Sequence, residues 1–264
     1  MSIRWSCVWA IALLMMACGG ETEADGGAPI PTDSAATDSA ATDSATTDTA
    51  TTDTATTDNA ATDSGGAKVA ATVRVINPAT GAGAAGVTVS AGGVDVTTDA
   101  SGKGTVDVPA GPYQIALNQA GARTHTVFGV AGDKAFEQIT YMSPDNITGF
   151  VFSSLGLKDD KERGILVVGL DLPNLAPAVG AGATIDKGSD KSFVFAGIQA
   201  VFATEIPSNG QGFLTFPNVE PGEVNVTVSY PKGSCRIFPA ETDAAPVTVT
   251  AGQVTVVAYT CRAQ

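Results

Sequence analysis

The chain has 264 residues, of which 30 are glycine, 16% are charged and 6% are aromatic. That light make-up suits strands and turns and excludes a helical bundle or a coiled coil. The net charge of -13 is concentrated: ten of the 27 acids lie between residues 21 and 66 with no base among them, and beyond residue 66 there are 17 acids against 13 bases. No basic patch exists anywhere, so nothing in the chain invites nucleic acid as a partner.

The first segment carries one positive charge, Arg4, and then an unbroken apolar run from Val8 to Ala17. Ten residues are too few to span a bilayer as a helix, which takes about twenty. A short basic start, a brief apolar core and a small residue at its end are the marks of a secretory signal. Cys18 follows Ala17 directly, and Gly19-Gly20 follow it. This segment resembles the signal of bacterial lipoproteins, whose lipobox ends in a small residue and a cysteine that becomes diacylated. It departs from that pattern at Met15, where the family prefers Leu. The resemblance implies a signal peptide over residues 1–17, lipidation at Cys18, and a membrane partner held through the lipid anchor. Two or three acyl chains hold a protein firmly where one does so only marginally. Gly19 replaces the Asp that favours inner-membrane retention, so the resemblance implies the outer membrane of the cell envelope. The alternative is an ordinary signal peptide in which Cys18 is incidental.

From Thr32 the chain repeats a five-residue unit, TDSAA, TDSAA, TDSAT, TDTAT, TDTAT, TDNAA. A period of five matches neither helix nor strand, and with no apolar side chains to bury, the ordering cost has no offset. Residues 18–66 therefore read as a disordered Thr/Asp/Ala-rich linker, extended by its own charge and up to ~160 Å long when stretched. The evenly spread Asp residues lack the local clustering of oxygens that a calcium loop needs. The many Thr and Ser residues permit O-glycosylation.

After Gly66 the texture changes to short apolar alternations broken by turns. Val69, Ala71, Val73 and Val75 set a period of two, closed by Pro78-Ala79-Thr80-Gly81. Val87–Ala91 and Val94–Thr98 flank Gly92-Gly93, a two-residue hairpin signal. The turn Asp99-Ala100-Ser101-Gly102 precedes Val106 and Val108. Beyond Pro109-Ala110-Gly111-Pro112, Tyr113, Ile115 and Leu117 alternate, and strands follow at Arg123–Val130 and Phe136–Tyr141. Seven short strands at this spacing predict a sandwich. The pieces Gly86-Val87-Thr88-Val89, Thr98-Asp99-Ala100-Ser101-Gly102 and Pro109-Ala110-Gly111-Pro112-Tyr113 resemble the carboxypeptidase regulatory-like, or transthyretin-like, β-sandwich repeat over residues 68–141. That resemblance implies a fold and no particular function.

A second copy follows, with Pro207 to Phe213 in the place of the first turn and Phe216 to Gly222 in the place of the second. Its strands are expected at Ile165–Leu172, Gly182–Ile185, Val224–Tyr230, Val247–Thr250 and Val254–Tyr259. An insertion lies between Ile185 and Ile206, and a preface spans Asn146 to Leu157. The charge-mixed stretch from Leu157 to Gly164 reads as a solvated loop or helical turn. The expected architecture is thus all-β: two tandem Ig-like, transthyretin-like sandwiches over 67–143 and 144–264, after a disordered stalk.

If Cys7 leaves with the signal and Cys18 carries lipid, Cys235 and Cys261 remain, and in an exported chain their disulfide is expected. Closing that loop would contribute roughly 3 kcal/mol. Catalytic residues are scarce. The single histidine, His125, lies between Thr124 and Thr126 and reads as a strand-edge residue, so metal, Ser-His-Asp and Cys-His chemistries lack their partners. Gly81 to Gly86 spells GxGxxG but leads into a strand where a dinucleotide fold needs a helix. Asp159, Asp160, Glu162, Asp186 and Asp190 are the acids a loop-bound calcium would use, and they read as solvated side chains. Trp5 and Trp9 fall in the signal, so no tryptophan is left to stack on sugars. No cofactor and no enzyme activity is expected. The expected role is a non-catalytic, lipid-anchored envelope or surface protein presenting its head for structural or adhesive contacts. A glycan- or polymer-binding module is the alternative, and a carboxylate-based hydrolase comes third.

Overall fold

The computed structural model describes residues 67–264, with Ala79 and Ala244 excepted. Cys18, the signal segment and the repeat stretch lie outside the described residues. The described chain is nearly all β, with one short helix.

The first sandwich packs two sheets. One has the order β4 (Lys103–Pro109), β1 (Lys68–Ile76), β7 (Phe136–Tyr141), with β1 antiparallel to β4 and parallel to β7. The other runs β6 (His125–Ala131), β5 (Gly111–Asn118), β2 (Thr88–Ala91), β3 (Val94–Thr97). The period of two in β1 buries Val69, Ala71, Val73 and Val75, the last three in one cluster with Val89, Ile115, Leu117 and Val127 from the facing sheet. Each such fully buried Val, Leu or Ile contributes about 1.5–3 kcal/mol relative to exposure. The turns form for local reasons. Gly92 and Gly93 both take positive φ, as a tight hairpin with matching twist requires. The Asp99 carboxylate accepts from the amides of Ser101 and Lys103 and from the Ser101 hydroxyl. Gly102 is fixed by sterics as well, because a Cβ there would collide with the Val75 carbonyl oxygen.

The second sandwich has β8 (Gly164–Asp171), β12 (Phe213–Val219), β10 (Phe193–Ala196) and β11 (Gln199–Phe202) in one sheet. Against them lie two short ladders, β9 (Gly182–Ile185) with β14 (Val226–Ser229), and β13 (Gly222–Val224) with β16 (Val247–Val249). The expected single strand Val224–Tyr230 is therefore two strands with different partners. Leu166, Val168, Leu170, Leu214, Val224, Val247 and Val257 fill this core.

The last strand, β17 (Val254–Ala263), joins the halves. It lies parallel to β8 on one side and parallel to β6 on the other, and its C-terminal part also pairs with β15 (Gly233–Ile237). The two sandwiches thus share one continuous ten-stranded sheet. His125 is consequently not at an edge, as the sequence had implied. Its strand is flanked by β5 and β17, and the ring is buried.

The preface contains a helix, α1 (Asp145–Ser154), that the strand-based reading did not include. Pro144 precedes it, Asp145 supplies a favourable charge in its first turn, and Phe152 packs edge-on against Phe193 with Ile165 and Val254 around it. Among the described residues no helix is long and apolar enough to cross a membrane.

Candidate functional site

Arg123 opens the region where the polar groups of the head converge. It stands just before β6, its side chain is only 3% exposed, and it holds two acids. Its Nε donates to Asp145 Oδ1 at 2.9 Å, which ties down the start of α1, and its Nη2 donates to Asp159 Oδ2 at 2.5 Å. Lys161 Nζ approaches the same Asp159 oxygen at 3.0 Å. Burial pushes the Asp159 carboxyl up, but the bonds from Lys161 and Arg123 outweigh it and hold the group below its ordinary value. Arg123 Nη1 and Asp159 Oδ1 are buried without a hydrogen-bond partner among the described residues. The charged stretch after Leu157 is therefore a loop, as expected, yet an anchored one.

Asn218 organises the other side. It sits at a register irregularity in β12, with φ at 51° and only 6% of its surface exposed. Its Nδ2 donates to the Lys158 carbonyl and to Asp190 Oδ2, both at 2.7 Å, and its Oδ1 accepts from the Asp160 amide at 3.1 Å. Its carbonyl accepts from Arg163 Nη1. Asn tolerates the left-handed region better than most residues because its short amide bonds locally, and here that amide clips two loops to one strand. Between them lies an open polar cleft of about 570 Å³, lined by Lys158, Asp159, Asp160, Lys161, Arg163, Asp190 and Asn218.

Of the five acids singled out in the sequence, four are committed to separate partners and Glu162 is exposed. Asp186 accepts from the Asn225 amide and side chain, which hold it below its ordinary value. Asp190 goes to Asn218, Asp159 to Arg123, and Asp160 to the Glu162 amide. Among the described residues no three His, Cys, Asp or Glu side chains converge as a metal site. Burial lowers the His125 imidazole, against the opposing effect of the Arg123 carbonyl 3.0 Å from its Nδ1. Cys235 and Cys261 are direct register partners across β15 and β17 and form a disulfide.

Asp171, at the end of β8, was not singled out in the sequence, although an acid that closes an otherwise apolar strand was a visible signal. Its Oδ1 faces Gly212, where a Cβ would collide with it, and the carboxyl makes no hydrogen bond or ion pair among the described residues. Burial pushes it up to about 7. Tyr141 lies close by, stacked at a tilt on Phe213, its hydroxyl raised first by burial and then by the Asp171 charge. Arg123 and Asn218 were also missed, since their roles depend on partners distant in sequence.

No protein-family profile matches the chain, and no curated protein matches it either. Similar solved structures include the Bacillus anthracis TIE protein (14% identity, TM-score 0.25), of which the match covers 34% and, of this chain, 74%. The chain thus spans about a third of that relative's length. The minor pilin GBS52 of Streptococcus agalactiae matches at 16% identity and a TM-score of 0.25, over 74% of this chain and 97% of that one. A family CBM26 module from Eubacterium rectale Amy13K, solved with maltoheptaose, matches at 12% and 0.25 over the same shares. Scores this low carry no inference about ligand or assembly.

Proposed function

We propose that the chain is a non-catalytic, lipid-anchored protein of the cell envelope or surface, whose β-sandwich head makes structural or adhesive contacts. The observation that supports it most is the shared strand β17. A head whose two sandwiches are locked into one sheet, with Cys261 of that strand cross-linked to Cys235 of β15, is built to hold a shape rather than to close around a substrate. The Cys18 signal and the repeat stretch supply the tether and the reach. Fractionation of cells expressing the chain, paired with Cys18→Ser and mass spectrometry of the N-terminal peptide, tests the reading. The expected outcome is a diacylated Cys18 in the membrane fraction and a soluble head for the variant. An unmodified Cys18 in a soluble wild-type chain would overturn the anchor.

The alternative, a module that binds glycan or polymer, is favoured by the open cleft beside Asn218, whose Lys, Asp and Asn side chains are the donors and acceptors that sugar hydroxyls use. Calorimetric titration with soluble polysaccharides separates the two readings. Binding that is lost in Asp190→Ala would support the module, and flat titrations would count against it.

A further inference from the structure

The face of β8, β12 and β10 that looks away from the second core is closed at one end and open at the other. At the closed end α1 lays Phe152 over Phe193 and Ile165. From Phe193 the rings continue through Phe195 and Phe213 to Tyr141, with centroids 5.9, 6.1 and 6.2 Å apart. Phe195 and Phe213 are half-buried, and Tyr141, the last residue of β7, is 40% exposed. Three polar side chains meet at this open end. Asp171 shares the face, because Gly169, two residues before it, is the register partner of Phe213. Its carboxyl stands against Gly212. Arg74 is the diagonal neighbour of Tyr141 across the parallel pair of β1 and β7, in which Ile76 is opposite Tyr141. Its Nε is buried without a hydrogen-bond partner among the described residues. The Tyr141 hydroxyl lies within reach of both charges: burial and then Asp171 raise it, and Arg74 lowers it.

We propose that this open end binds a neutral saccharide, which stacks on Tyr141 and Phe213 and hydrogen-bonds to Asp171 and Arg74. Aromatic lining with a few placed polar groups is the usual make-up of a small-molecule site. The class of ligand follows from the groups themselves. One acid and one base together offer no net charge by which to select an ion. A guanidinium, a phenol and a carboxyl call for partners that both accept and donate, as hydroxyls do. Raised to about 7, the Asp171 carboxyl exists in both forms near neutrality, so it too can give or take a proton in a hydrogen bond. The rings beside these groups suit the C–H faces of a sugar. An added peptide strand would need free backbone groups, and β8 and β12 are each flanked by strands on both sides. The site is at the far end of β8 from the Asn218 cleft, since Val219 pairs with Gly164 at the start of that strand. The proposal rests on the glycan-binding alternative given above and moves its site; it does not rest on the anchor.

Calorimetric titration of the full chain carrying Cys18→Ser tests it, with hexamers of cellulose, xylan and mannan as neutral probes and a galacturonan hexamer as the charged one. At least one neutral hexamer is expected to bind, and more tightly than the charged one. Tyr141→Ala removes the exposed ring, and Asp171→Asn keeps the shape of its side chain without the charge. Each is expected to weaken binding roughly tenfold while the thermal transition stays cooperative. Asp190→Ala, in the cleft at the other end of β8, is expected to leave binding unchanged. Binding lost in Asp190→Ala alone would overturn the proposal and leave the cleft as the site of a glycan module. Flat titrations with every probe would overturn the site and the module together. Binding indifferent to both Tyr141→Ala and Asp171→Asn, or tighter binding of the charged hexamer, would overturn the proposal as well.

Discussion

Replacing Asp171 with Asn is expected to stabilise the head at neutral pH, against the usual direction for a partly buried substitution. The carboxyl has no bonding partner among the described residues and is raised by burial from its ordinary 3.8 to about 7. The folded state thus holds a proton that the unfolded chain releases. Its contribution to stability is complete below pH 3.8 and is lost as pH rises through 7. At about 1.4 kcal/mol per pH unit the full span corresponds to ~4 kcal/mol, and the residual solvent access of the site brings the realistic figure to about 2–4. Asn keeps the shape and cannot ionise. Urea denaturation of both chains between pH 3.5 and 8 gives the difference directly, and the difference removes the acid sensitivity common to both. It should be near zero at the acid end and grow to a few kcal/mol in favour of Asp171→Asn above pH 7. A difference that stays flat with pH, or a variant less stable at pH 8, would refute the reasoning.

Arg123→Ala leaves the part-buried Asp159 to Lys161 and should cost about 1.5–3 kcal/mol in urea denaturation, with Asp159→Asn in the same chain recovering part of the loss. Asn218→Ala removes three side-chain hydrogen bonds, and a loss of about 2–3 kcal/mol is expected together with faster amide exchange in residues 158–163. Reduction, or the paired change Cys235→Ala and Cys261→Ala, should lower stability by roughly 3 kcal/mol while far-ultraviolet dichroism is retained, because the bond closes a loop of 26 residues between strands that pair anyway. Asp159 is held below its ordinary value, so its contribution is present above pH 3.8 and lost as pH falls through its folded value. In Arg123→Met the acid limb of the stability curve should flatten accordingly.

Much of this architecture was legible residue by residue. The alternation in β1 names its buried side chains, Gly92-Gly93 and Asp99 to Gly102 name their turns, and Cys235 and Cys261 name their bond, because each of these is decided by local geometry or by composition. What escaped was decided by distant partners. Nothing in Val254–Tyr259 says that the strand lies between β6 and β8, since period two reports which side chains are buried and not which strand lies alongside. His125 was misplaced for the same reason, its strand becoming interior only when β17 arrives. The apolar run Val224–Tyr230 hid a break between two ladders. Arg123 and Asn218 look like ordinary loop or strand-end polar residues until Asp159 and Asp190 are brought to them.

The position of β17 also sets a timetable for folding. Thr126 and Gln253, which lie against each other where β6 meets the final strand, are 127 residues apart in sequence. A ribosome, or any channel that passes the chain N-terminus first, delivers β6 long before its neighbour, and until then that strand has only β5 beside it. Closure over such a span is entropically slow, although each doubling of the loop adds only about 0.6 kcal/mol. The first sandwich is thus completed by a strand that follows the whole of the second sandwich, and a chain lacking β17 would fail at the front as well as at the back.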